Sequence, residues 1–444
     1  MLAIADRALE GARPGESVEI GVGLGQDVEV RAYGGEIESL SSALSEGIFI
    51  RVISDGRQGT ASASSLEESV IAEVLAEARD NARYASADPL AALAEPDGVE
   101  PPALEFYDDR VHSVSLDEKL AFALELERLV MAADPRIAGL DGGADYGESI
   151  STGALVTTSG IRAFGRETNC GLSVYALAED GDEVQVGFGC SVGRGPSELD
   201  IERCAADAVM RATRMLGATK PATQRLPVIF DPWVTAQFIG LIAEMLSGES
   251  VIKGRSPFAD RVGHAIAASS LTLIEDPTDP LAYGASRTDD EGLATRRVEL
   301  ISGGVLNGFL HNSYTARASG ASSTGSAVRG GGGRPLVGPR AVSVTPGSAS
   351  AAEVMAQVGD GVLIQEVIGL HSGVNPISGD FSTGVEGVIV RNGQPAEPIR
   401  EAIVASTLQR LLTDITAIGG DIEYFPLEAS GVTMAFGEVT LSGS

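Results

Sequence analysis

Imidazoles, thiols and carboxylates carry most metal and nucleophile chemistry, and the first two are scarce and scattered in this sequence. The histidines are His112, His264, His311 and His371, and no two lie within five residues of each other. A catalytic zinc needs two or three neutral imidazoles or thiolates converging on it, with a carboxylate to activate water. Neither His-Glu-x-x-His nor His-Glu-x-x-x-His occurs. The cysteines are Cys170, Cys190 and Cys204, odd in number and widely spaced. That usage fits neither a disulfide framework nor a zinc ribbon, and it points to a reducing, cytoplasmic compartment. A Ser/His/Asp triad could be assembled only by the fold. The serines beside glycine at Ser247 and Ser326 have no base identifiable in sequence.

Two glycine-rich stretches could hold anions. Gly21-Val22-Gly23-Leu24-Gly25 follows a strand pattern, but its third glycine is misplaced for a dinucleotide loop and a second strand pattern follows it. Pyrophosphate binding needs a helix N-terminus there, so the stretch reads as a strand running into a turn. Gly193-Arg194-Gly195-Pro196-Ser197 opens a helix pattern without the Lys-Ser/Thr ending of a P-loop. It reads as an ordinary helix start with proline near the first turn.

The elements that must position any site follow from periodicity. Met1–Arg13 is an amphipathic helix. Ser17–Val22, Val28–Tyr33, Ile37–Ser42 and Gly47–Ser54 alternate apolar and polar residues, an antiparallel meander of four strands. Ser65–Arg83 has helical spacing with Ser65 as N-cap, Leu116–Ala133 and Glu198–Leu216 are further helices, and two or three strands lie between Ile137 and Ser191. The stretch Gly217–Gln224 has no periodicity and marks a domain boundary. Beyond it come a strand at Leu226–Phe230, helices at Trp233–Ser247, Ala351–Val358 and Glu401–Thr413, and many short strands. The stretch Ala318–Pro339 is rich in Gly, Ser and Ala, contains Arg329 and Arg334, and reads as a surface loop whose backbone can approach a ligand. The expected class is α+β in two domains. Residues 1–220 form a meander with packed helices, and residues 221–444 form a strand-rich domain, a division that 444 residues favour.

Composition narrows the function. A net charge of −30, with lysine only at 119, 220 and 253, disfavours direct nucleic-acid binding, which requires a basic surface. The acidity serves solubility or a cationic partner. No run of eighteen apolar residues occurs, so no membrane span is expected.

The most informative segment is LPVIFDPWVTAQFIGLIAEMLSGESV from Leu226. A strand runs to Phe230, Asp231 can cap, and Pro232 suits the first helical position. Val234, Phe238, Leu241, Ile242 and Met245 form an apolar stripe that Gly248 can end, while Gln237, Gly240 and Glu244 lie on another face. Asp289-Asp290-Glu291-Gly292, Glu299 to Leu310, Asn312 to Arg317, Ser323-Thr324-Gly325, Ser378 to Gly384, Val388 to Gly393 and Gly419 to Glu423 follow in order. This ordered set resembles the TldD/PmbA family, also called modulators of DNA gyrase or peptidase family U62.

The resemblance implies metallopeptidase chemistry divided between two kinds of chain. TldD-type chains carry His-Glu-x-x-x-His on the helix after the strand, completed by a late cysteine. Here those positions fall at Ile239, Gly240 and Glu244, with the cysteine position near Phe425. Two ligands five residues apart lie about 140° apart on an ideal helix, so that motif also needs a widened turn, which Ile239 does not demand. The chain therefore looks like the TldE/PmbA side of the family. It is expected to bind no zinc itself and to pair with a TldD-like subunit that does. Together they would hold peptides or unfolded polypeptides as an extended strand in a cleft. Glu244, His311, Arg317 and Arg329 are the substrate-binding candidates, and no catalytic residue is assigned. The alternative is a homodimeric, non-catalytic binding or regulatory protein.

Overall fold

The computed structural model describes residues 1–330, 333–370 and 372–443; His371 lies outside them. The chain opens with α1 (Leu2–Leu9), β1 (Ser17–Tyr33), β2 (Glu36–Ser54), β3 (Arg57–Ala63) and α2 (Glu68–Tyr84). It continues with α3 (Leu116–Ala133), β4 (Ile137–Thr157), β5 (Arg162–Asp180), β6 (Glu183–Gly193) and α4 (Ile201–Arg214). The strands form one antiparallel sheet in the order β3-β2-β1-β4-β5-β6.

The expected four short strands of the meander are two long ones. β1 pairs with β2 from Ser17 to Tyr33, so Gly21, Gly23 and Gly25 sit within the ladder and no turn follows them. The real turn is Gly34-Gly35, both at positive φ (67° and 80°), where L-residues are strained. Ser65 is not the cap of α2: its hydroxyl accepts from the Glu67 amide, and the helix starts one residue beyond, at Glu68.

Cross-strand partners share a face, so residues of even number on β1, β2 and β4 point one way. Val18, Ile20 and Val22 pack with α1 and α2, and Val28 and Val30 pack with α3 and α4. Both helix pairs therefore cover the same face. The seams are glycine: a Cβ at Gly59 would come within 2.2 Å of the α2 backbone, and one at Gly187 within 2.2 Å of α4.

The second half begins with β7 (Gln224–Phe230), α5 (Pro232–Met245) and α6 (Gly248–Ile252). Short strands β8 (Leu273–Glu275), β9 (Val298–Ser302) and β10 (Val305–Leu306) precede α7 (Ser313–Ser319). Then come β11 (Ala327–Val328), β12 (Leu336–Val337), β13 (Val342–Val344) and α8 (Ala351–Val358). The chain ends with β14 (Gly361–Ile368), β15 (Asp380–Arg391), β16 (Gln394–Thr407), α9 (Leu408–Thr413), β17 (Ile415–Ile418) and β18 (Met434–Ser442). The main sheet here runs β16-β15-β14-β7-β18-β17.

Three local expectations change. The helix expected over Glu401–Thr413 is strand as far as Thr407, because residues 402–407 ladder with β15, and only α9 is helical. Gly248 does not end α5. Leu246 is its C-cap, and Gly248 opens α6. Ala318–Pro339 is not a bare surface loop: it begins with the end of α7 and contains the β11–β12 ribbon, with Ser326 and Ala327 buried. The class is mixed α and β with strand-rich sheets, as the alternating patterns require. Among the described residues no helix is long and apolar enough to cross a membrane.

Candidate functional site

The unoccupied face of the first sheet is its odd-numbered one. There Glu19 and Arg51 are cross-strand partners, both almost fully buried and ion-paired. Arg329, from the stretch after α7, donates to the same Glu19 carboxylate and to the Asp290 carbonyl (3.0 Å), while its guanidinium lies 4.4 Å over the Phe49 ring. Its amide donates to Asp290 Oδ2 at 2.6 Å. One carboxylate shared by two guanidiniums thus joins the halves of the chain.

At the other end of the same face, Phe188 on β6 tilts against Trp233 on α5 (5.7 Å), and Phe425 meets Trp233 edge-on (5.2 Å, 83°). Between them, Arg194 donates to Asn169 Oδ1 (2.7 Å) and to the Tyr283 carbonyl (3.1 Å).

A groove of about 900 Å³ lies on this face. Its floor includes Gly21, Gly23, Gly47, Gly153 and Gly165, and its far wall includes Ser286–Asp290 with Arg329 and Arg340. Glycines on neighbouring strands expose backbone and leave space above the sheet.

Helix α5 carries the positions at which the resemblance puts the family's metal motif. Asp231 caps it, accepting from the Val234 amide at 2.9 Å. Burial raises its carboxyl to about 7, against the opposing pull of Arg211. Ile239 is 2 % exposed and belongs to the main core with Phe238 and Ile242. A Cβ at Gly240 would meet nothing nearer than Ala429 at 3.9 Å. Glu244 is exposed, and its carbonyl accepts from Ser250 Oγ at 2.9 Å. Ile239, Gly240 and Phe425 have no donor atom for a metal in their side chains, so this set does not fit zinc. Among the described residues no group of three His, Cys, Asp or Glu side chains is placed to hold a metal ion.

The other candidates have these surroundings. His311 is buried; its Nδ1 is 3.1 Å from Thr315 Oγ1, and burial lowers its pKa. A Cβ at Gly248 would sit 2.4 Å from that ring, so glycine is needed for the close approach. Arg317 spends its guanidinium on the carbonyls of Leu90 (3.1 Å), Ala92 (2.9 Å) and Leu93 (3.4 Å), fastening the connection after α2 to α7. Of the four, only Arg329 lines the groove.

Several groups escaped the sequence reading. Asp289 accepts from the amides of Glu291, Leu293 and Ala327, and burial raises it to about 7. Glu275 is likewise raised to about 7 by burial, while accepting from the Arg340 and Ala341 amides. Glu19 and Arg51 were detectable as opposite charges set among apolar positions of adjacent strands. Gly189-Cys190-Ser191-Val192-Gly193 has the spacing of a nucleophile elbow but lies within β6, and Ser191 Oγ accepts from the Asp200 amide. An elbow requires a strand-to-helix turn, so this serine is structural.

Three family models cover most of the chain. Residues 18–82 match PmbA/TldA metallopeptidase domain 1, residues 109–216 the central domain and residues 223–443 the C-terminal domain. The chain belongs to the TldD/PmbA family. The metalloprotease PmbA of Escherichia coli O157:H7 is 28 % identical over 411 residues, spanning 92 % of this chain and 88 % of that relative. The fold is shared with a Thermotoga maritima protein described as a candidate modulator of a DNA gyrase, at TM-score 0.89, 25 % identity and 99 % coverage of both chains. TldE from Thermococcus kodakarensis has the same fold, at TM-score 0.88 and 23 % identity, covering 100 % of this chain and 99 % of that one. Within the TldD/PmbA family, then, this member carries isoleucine, glycine and glutamate along α5.

Proposed function

We propose that this chain is the PmbA/TldE-type subunit of a cytoplasmic metallopeptidase pair. A TldD-like partner holds the zinc, and this chain binds none and shapes the cleft for an extended peptide or unfolded polypeptide. The observation that carries this reading is α5, where a core isoleucine and a glycine stand at the motif positions and Phe425 packs on Trp233.

Two further features support it. The glycine-floored groove offers backbone to a strand-like ligand, a recognition mode that is tolerant of sequence. The outer edge of β2 from Glu36 to Glu46 has no strand partner among the described residues, since β3 covers only residues 48–54. That edge has no Lys or Pro to blunt it, and Leu40 and Leu44 are 46 % and 83 % exposed. Open edges of this kind invite a strand from another chain.

Co-expression with a TldD-like chain tests the reading. The expected result is a mixed dimer whose zinc tracks the TldD-like chain. Peptide cleavage should need both chains and be lost with a chelator. Exclusive self-association in the presence of that partner, or stoichiometric zinc in this chain alone, overturns it. The first outcome favours the homodimeric binding protein.

A further inference from the structure

A second cavity, of about 180 Å³, lies where the β2–β3 turn, the connection after α2, and α7 meet. Arg51, Gln58, Asp88, Glu291, Tyr314 and Arg334 line it. Two guanidiniums and two carboxylates therefore face one small space, but they are not paired with each other.

Arg334 is engaged elsewhere. It donates to Glu249 at 2.8 Å and lies 4.3 Å over the Tyr314 ring. Arg51 is 3 % exposed, and the only hydrogen bond of its side chain among the described residues runs from one terminal nitrogen to Glu19, leaving the other terminal nitrogen with no partner there. Glu291 is 2 % exposed. Its oxygens accept from the Ser313 amide (2.8 Å) and hydroxyl (2.6 Å), and it forms no ion pair among the described residues. Asp88 accepts from the Leu90 amide and the Tyr314 hydroxyl, both at 2.9 Å, and likewise forms no ion pair among the described residues, although the Arg317 charge acts on both carboxylates from nearby. One cation thus has unused donors, while two carboxylates have only neutral donors. For the buried Arg51 and Glu291 that state is costly unless something completes them.

We propose that this cavity binds a free α-amino acid as its zwitterion, with the ammonium on Glu291 and Asp88 and the carboxylate on the Arg51 guanidinium. An inorganic anion would leave the carboxylates unanswered, and a metal cation would be repelled by the guanidiniums. At about 30 Å³ per water the space equals roughly six waters, which suits a small amino acid, whose side chain can rest on Ala91, Ala92 and Pro335. The site lies within one chain and depends on neither zinc nor a partner, so its failure would leave the peptidase-subunit reading untouched.

Calorimetric titration of the full chain with L-valine, isobutylamine and isovalerate tests it. Valine should bind at least about tenfold tighter than either analogue, because a site built for two polar groups rejects a ligand lacking one. Glu291→Gln and Asp88→Asn should each weaken valine by about tenfold or more. Asp88 sits on a partly exposed connection, so its variant remains informative if substitution of buried Glu291 or Arg51 impairs folding. Absence of valine binding at ~10 mM, equal binding of either analogue, or an Asp88→Asn variant with unchanged affinity overturns the proposal.

Discussion

At the scale of single residues, the joint between the halves rests on Glu19. Removing Arg329 leaves this buried carboxylate with one cation in place of two. Arg329→Ala is expected to destabilise the chain by about 3 kcal/mol in urea unfolding. Arg317→Ala removes three charge-assisted hydrogen bonds to carbonyls and should loosen residues 90–93, read as faster proteolysis there. Asp231 gives a pH signature. Its folded pKa of about 7 stands above the ordinary value of 3.8, so folding favours its protonated form. That stability is present below pH ~4 and is lost as pH rises to ~7, by up to about 1.4 kcal/mol per unit. Asp231→Asn keeps a good cap and should flatten the slope of unfolding free energy between those limits. How far the sequence disclosed this site depends on the residue. Arg329 stood out as a cation in a glycine-rich stretch. Its acceptor did not, because Glu19 lies 310 positions away and only the fold brings them together.

At the scale of elements, α3 and α8 have the bounds that periodicity and their Ser caps dictate. The long strands did not show themselves, because Gly21, Gly23 and Gly25 interrupt the apolar alternation although the ladder runs through them. The smallness of Gly21 and Gly23 answers to the groove above, and that of Gly25 to the close Ser45 side chain; neither demand is visible along the chain. Residues 401–407 read as helix because Ile403, Val404, Leu408, Leu411 and Leu412 mimic a stripe; pairing with β15 outweighs that local spacing. Packing at α6 yields a further expectation. Gly248→Ala would press a methyl into His311 and should cost about 1–3 kcal/mol, seen as a lower Tm. On the outer edge of β2, Leu44→Lys touches no core and should change stability by less than about 0.5 kcal/mol. It should nonetheless reduce recovery of the mixed dimer in pull-down.

At the scale of the whole molecule, the charge of −30 acts on every state of the chain. Like charges repel most in the compact form, and salt screens them over about 10 Å at 0.1 M. Raising sodium chloride from low to moderate concentration should therefore raise Tm, even though individual surface ion pairs weaken. The motifs placed the chain in its family, and the alternating patterns gave the mixed class with a helix-packed meander and a strand-rich second half, but not which face the helices cover. Both helix pairs lie on one side of the first sheet, and only that arrangement leaves the other side for the second half.

The two halves are fastened to each other at two separate points, by the aromatic contact of Phe188 with Trp233 and by Arg329 on Glu19. Halves joined at two points cannot swing wide like a jaw, and the groove between them keeps its width. Whatever enters must already be slender, so a polypeptide would have to lose its own tertiary structure first. Selection by thickness would then precede any reading of side chains.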